Sequence, residues 1–121
     1  MPTTGLRGPY KLDNDTIDKV VTKKSAGAYA LGHTRKEKEV TKFIVEYVGR
    51  ADKDINDRLK KWVGKGYTHF KFKYYDSAKA AFEKECNLYH DWKNLDNKQH
   101  PDRSKEKDWQ CPRCDAFKEK K

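Results

Sequence analysis

Hydrophobic positions along the chain switch between a helical and a strand-like period, and the switches divide it into elements. Ile17, Val20 and Val21 fall at i, i+3 and i+4 behind the N-cap candidates Asp13, Asn14 and Asp15, which predicts a short amphipathic helix. Ser25-Ala26-Gly27 interrupts that pattern, and Ala28-Tyr29-Ala30-Leu31 predicts a short strand. Residues 32–38 read as a charged turn. Residues 41–48 predict a second strand, with Phe43, Val45 and Tyr47 on one face and Ile44 and Val48 on the other. The helical period returns at Ile55, Leu59, Trp62 and Val63, capped by Asp52 or Asp54 and stopped by Gly64 and Gly66. Phe70, Phe72 and Tyr74 then alternate with His69, Lys71 and Lys73, predicting a third strand. Asp76 or Ser77 opens the longest helix, which runs to about residue 92. The expected fold is α+β, a small three-stranded antiparallel sheet flanked by helices. Residues 1–12, with Pro2, Gly5, Gly8 and Pro9, read as a flexible leader, 13–97 as the folded domain and 98–121 as a charged tail.

The last helix carries one residue out of pattern. Ala78, Ala81, Phe82, Leu88, Tyr89 and Trp92 form an apolar stripe with Glu85 at its centre, whereas Glu83 faces solvent. A carboxylate on an apolar face is costly unless it is paired or holds a metal ion. Either an ion pair with an arginine such as Arg58 or a place in a functional site would account for it.

Composition narrows the function classes. The chain has 121 residues, enough for one domain with a modest core, of which 35% are hydrophobic and 39% charged. Its net charge of +9 suits a polyanionic partner such as nucleic acid, although a basic solvated surface has the same signature. No apolar run approaches the length of a membrane span, and the first residues lack the apolar segment of a secretory signal, so a membrane role is not expected. Three cysteines, an odd number without a secretion signal, suit reduced thiols and a cytoplasmic location.

Two tyrosines at strand ends (Tyr29 and Tyr47), two arginines (Arg50 and Arg58) and Glu85 make an inventory suited to phosphodiester chemistry. A carboxylate can hold Mg²⁺, an arginine can neutralise phosphorane charge, and a tyrosine can relay a proton. Strand-end packing is the alternative for each tyrosine. Gly27-Ala28-Tyr29 and Tyr47-Val48-Gly49, followed by Arg50, Arg58, Glu85 and Asn97 in that order, resemble the GIY-YIG nuclease superfamily over residues 26–97.

That resemblance implies a DNA endonuclease (RNA not excluded) using one Mg²⁺ or Mn²⁺ ion for in-line hydrolysis. Glu85 would hold the metal, Arg58 would stabilise charge, Tyr29 or Tyr47 would act as or assist the base, and Asn97 would match the family asparagine. Trp62 stands where the family often has histidine or tyrosine, so Tyr67 or His69 would have to relay protons. Lys61, Lys65, Lys71 and Lys73, with Arg50, are the candidate phosphate contacts. The rival readings are a nucleic-acid-binding module of the same fold without turnover, and a protein-interaction domain in which Glu85 only pairs with arginine.

Cys111-Pro112-Arg113-Cys114 is a C-x₂-C knuckle, half of a structural Zn²⁺ site, with His100 as the third candidate ligand and His90 or Cys86 as the fourth. Unliganded thiols or a redox pair are the alternatives.

Overall fold

A computed structural model describes residues 5–92, 95–97, 100–101, 109 and 111–113. In chain order these form β1 (Arg7–Lys11), α1 (Asn14–Val20), β2 (Gly27–Glu37), β3 (Val40–Ala51), α2 (Ile55–Lys60), β4 (His69–Tyr74) and α3 (Ala78–Asp91). The fold is α+β, as expected. The sheet, however, is an antiparallel one of four strands rather than three, ordered β1-β4-β2-β3. The added strand comes from the stretch read as leader: Arg7–Lys11 pairs with β4, and Tyr10 packs its ring against Phe70 and Phe72. Pattern reading missed it because five residues containing Gly8 and Pro9 carry turn chemistry, and only pairing with β4 makes them a strand.

The stretch read as a charged turn is strand as well. β2 and β3 pair from Gly27↔Ala51 to Glu37↔Val40, so the reversal falls at Lys38-Glu39, with Lys38 at a positive φ of 55°. β4 ends its pairing with β2 at Gly32↔His69, so the distal half of the β2–β3 hairpin is a two-stranded arm. A bulge between Leu31↔Tyr47 and Gly32↔Val45 leaves Glu46 as the extra residue. The bulge overturns the expected alternation: Val45 joins Val48 on one face, and Tyr47 turns to the other.

Each helix begins on a side-chain cap. Asp13, Asp54 and Ser77 accept from Thr16, Asp57 and Ala80 N–H groups respectively. α2 is shorter than its hydrophobic period, because after Lys60 the chain tightens into turns in which Trp62 N–H donates to Leu59 and Val63 N–H to Lys60.

Two apolar layers sandwich the sheet. On one face Ile17, Val21, Ile55 and Leu59 from α1, its C-cap and α2 cover Leu31, Phe70 and Phe72. On the other, Leu88 of α3 meets Ala30, Val45 and Val48. Complete burial of one such large side chain contributes about 1.5–3 kcal/mol, and 21 hydrophobic residues are buried among those described. No described helix is long and apolar enough to cross a membrane.

Candidate functional site

β3 is an edge strand, and around its C-terminal end the two faces of the sheet come within reach of each other. Tyr29, Tyr47, Gly49, Arg50, Asp52, Arg58, Trp62 and Glu85 line a polar cleft of about 240 Å³ there. Tyr29 and Tyr47 point to the α2 side; Arg50 points to the α3 side, where Glu85 waits.

Two glycines make this assembly compact. Tyr29 sits opposite Gly49 in the register, and a Cβ on Gly49 would fall 2.5 Å from the Tyr29 ring and hydroxyl. A Cβ on Gly27 would lie 2.6 Å from the Lys73 carbonyl and 2.7 Å from Ile55, so its absence lets the start of α2 press on β2. Glycine at positions 27 and 49 thus seats one tyrosine and brings up the helix that bears Arg58.

Tyr29 is 2% exposed, and its hydroxyl accepts the indole N–H of Trp62 at 2.9 Å. Burial drives this phenol well above the ordinary tyrosine value. Burial, reinforced by the Glu85 charge, also raises Tyr47. Both are neutral phenols at physiological pH. Tyr47 packs against Trp62 with ring centroids 4.5 Å apart and the planes tilted by 47°.

Glu85 is 8% exposed and pairs with Arg50 at 2.8 Å, not with Arg58. Arg50 also donates its Nε–H to Asp52 at 2.8 Å. Despite this cation, desolvation dominates and pushes the Glu85 carboxyl up to about 7. Arg58 is exposed on α2 and makes no salt bridge with a described residue.

The remaining expected site residues lie elsewhere. Asn97 does not line the cleft; its side-chain amide receives Val48 N–H at 3.0 Å and donates to Val48 C=O at 2.8 Å, occupying the open edge of β3. Tyr67 is tied to Asp96 at 2.7 Å, and His69 sits at the start of β4, so neither lines the cleft in place of Trp62. Lys61 borders a neighbouring depression with Asp57 and Arg58. Lys65 is exposed in the turn after α2. Lys71 and Lys73 are in register with Ala30 and Ala28 and hence share the α3 face, away from Lys61 and Lys65. The lysines therefore do not form one patch.

Sequence reasoning missed two cleft roles. Asp52 was a helix-cap candidate and is instead the second partner of Arg50; its i, i+2 spacing from Arg50 at a strand end was the available signal. Trp62 was read as a departure and is the hydrogen-bond donor to Tyr29.

A second cluster lies beyond Glu85 on α3. Ligand atoms of Cys86, His100 and Cys111 lie within 4.8 Å of one another and could hold a metal ion. His90 Nε2 is 3.2 Å from His100 Nε2 and 3.4 Å from Cys111 Sγ. Cys114 lies outside the described residues. Comparison with protein-family models, with curated proteins and with solved structures finds no match.

Proposed function

We propose that the chain is a divalent-metal-dependent endonuclease that hydrolyses phosphodiester bonds in DNA from a GIY-YIG-like site. The observation that carries this reading is the convergence of Tyr29, Tyr47, Arg58 and Glu85, from four different elements, on one polar cleft. Strand-end packing of the two tyrosines does not by itself account for Arg58 and Glu85 lining the same cleft.

Arg58, exposed and without a competing carboxylate among the described residues, offers a guanidinium fork to a phosphate and to the charge that grows on it. Trp62 fixes the Tyr29 oxygen by donating to it, which leaves the Tyr29 proton to be given to an oxygen in the cleft. Because both phenols are neutral, a tyrosine here relays: it passes its own proton on as it takes one from the attacking water.

Glu85 suits Mg²⁺ or Mn²⁺. Oε1 is engaged by Arg50; the second oxygen has no hydrogen-bond partner among the described residues and is not sealed from solvent. One carboxylate with waters and phosphate oxygens is a usual Mg²⁺ environment. Bound there, the ion would act as a Lewis acid on the phosphoryl and leaving oxygens. The Cys–His cluster would take Zn²⁺ as a structural ion, and a thiolate site suits a reducing compartment such as the cytoplasm.

The test is cleavage of plasmid, single-stranded, flapped and branched DNA, with an RNA control, in Mg²⁺ or Mn²⁺. The wild type is compared with folded Glu85→Gln and Arg58→Ala. The expected result is metal-dependent cleavage that falls by about 10²–10³-fold on loss of one charge-stabilising group. Tight, salt-sensitive binding without cleavage would replace this reading with the binding module, a rival favoured by the Arg50 contact already on Glu85.

A further inference from the structure

We propose that Cys86, His90, His100 and Cys111 hold one Zn²⁺, and that this ion clamps Trp109 against Arg50, the partner of Glu85. The inference does not depend on the nuclease reading. It rests on the spacing and orientation of donor atoms at the far end of α3.

Zn–N and Zn–S bonds of about 2.0 and 2.3 Å in a tetrahedron put donor atoms roughly 3.3–3.7 Å apart. The His90–His100 and His90–Cys111 separations, 3.2 and 3.4 Å, are of that size. The tautomer fits too. His100 Nδ1 donates to the Pro101 carbonyl at 2.8 Å, so Nε2 presents its lone pair to the cluster, the usual backbone anchor of a metal-bound imidazole. Cys111 Sγ receives the backbone N–H of Arg113 at 3.4 Å, a contact that stabilises a thiolate at the turn of a C-x₂-C knuckle. Cys86, fully buried on α3 within reach of His100 and Cys111, supplies the fourth ligand.

The ion's consequence lies two residues before Cys111. Trp109 packs on Phe82 with centroids 5.5 Å apart, and the Arg50 guanidinium lies 5.8 Å from the Trp109 ring and 5.0 Å from the Phe82 ring. Arg50 is thus held by Glu85 and Asp52 on its polar edges and rests against the paired rings of Phe82 and Trp109. Anchoring Cys111 and His100 to α3 fixes the segment that supplies one of those rings.

Metal content of the purified, reduced full chain tests the first half, followed by Co²⁺ substitution. The expected result is one Zn²⁺ per chain and, with Co²⁺, tetrahedral d–d absorption plus a thiolate charge-transfer band. Cys86→Ala, His90→Ala and Cys111→Ser should each lower zinc content at least tenfold. No zinc on titration of the wild type, or full zinc in any of these variants, overturns the site without relying on a variant that fails to fold. The second half is read by amide exchange of the wild type before and after chelation. Exchange should accelerate at least tenfold at Arg50 and around Phe82 while α1 is unchanged. Unchanged exchange at Arg50, or equal acceleration throughout, overturns the clamp.

Discussion

Glu85 makes the stability of the fold depend on pH in an unusual sense. Its carboxyl moves from an ordinary 4.5 to about 7 on folding, chiefly by desolvation. The folded state therefore binds the extra proton between those values, and the resulting stability is complete below about 4.5 and lost as pH rises through about 7. At about 1.4 kcal/mol per pH unit, the loss amounts to roughly 3 kcal/mol. Below pH 4.5 a protonated Glu85 and a glutamine are both neutral and nearly the same shape, so wild type and Glu85→Gln should be equally stable. At pH 8 the glutamine variant should be the more stable by about 3 kcal/mol. For a chain of this size that corresponds to a urea midpoint roughly 2 M higher. Urea unfolding of both proteins at intervals from pH 4.5 to 8 measures the difference. Asp13 and Asp18, held low by an N-cap bond to Thr16 and by hydrogen bonds from Lys60 and Asn56, lose their contribution only at lower pH and do so in both proteins. A difference that stays flat, or that comes to favour the wild type as pH rises, would refute the argument that burial outweighs the Arg50 contact.

Three further substitutions probe the cleft and the strand edge beside it. Gly49→Ala drives a methyl into the Tyr29 ring and should cost about 1–3 kcal/mol. Tryptophan fluorescence should shift with it, as the Tyr29 hydroxyl is pushed away from the Trp62 indole. Trp62→Phe keeps an aromatic ring against Tyr47 but removes the donor to the Tyr29 oxygen. Thermal unfolding should show a loss of about 1–2 kcal/mol, and any DNA cleavage should fall about tenfold or more. Asn97→Ala strips both side-chain bonds from the Val48 backbone and should cost about 1–3 kcal/mol. Its clearest readout is faster amide exchange at Val48, with Arg58 and Glu85 left in place.

What the sequence disclosed, and what it withheld, follows from the range of the interactions involved. The three helix starts were legible because a cap acts over three residues, and β4 because its alternation is uninterrupted. Placing Tyr29, Tyr47, Arg58 and Glu85 near one another was also legible, from the order of their short motifs. The partner of Glu85 was not. Arg50 and Arg58 are both reachable in principle, and the choice depends on which face of β3 each presents, which the pairing of β2 with β3 decides. The bulge at Glu46 was hidden for the same reason, since an inserted residue leaves each short apolar run intact while reversing its sense. Strand β1 exists only through β4. Asn97 carried no local sign that its amide would serve β3 rather than chemistry.

The position of Asn97 has a consequence for the behaviour of the chain among its own copies. β3 is a twelve-residue edge, long enough to template a strand from a second molecule. Asp96 N–H donates to the Glu46 carbonyl and the Asn97 amide takes both polar groups of Val48, so a short irregular segment fills the place where such a strand would dock. Beyond it the edge carries Lys42 and Thr41, which disfavour pairing by charge and hydration. Asp96 and Asn97 therefore act as a guard against edge-to-edge aggregation.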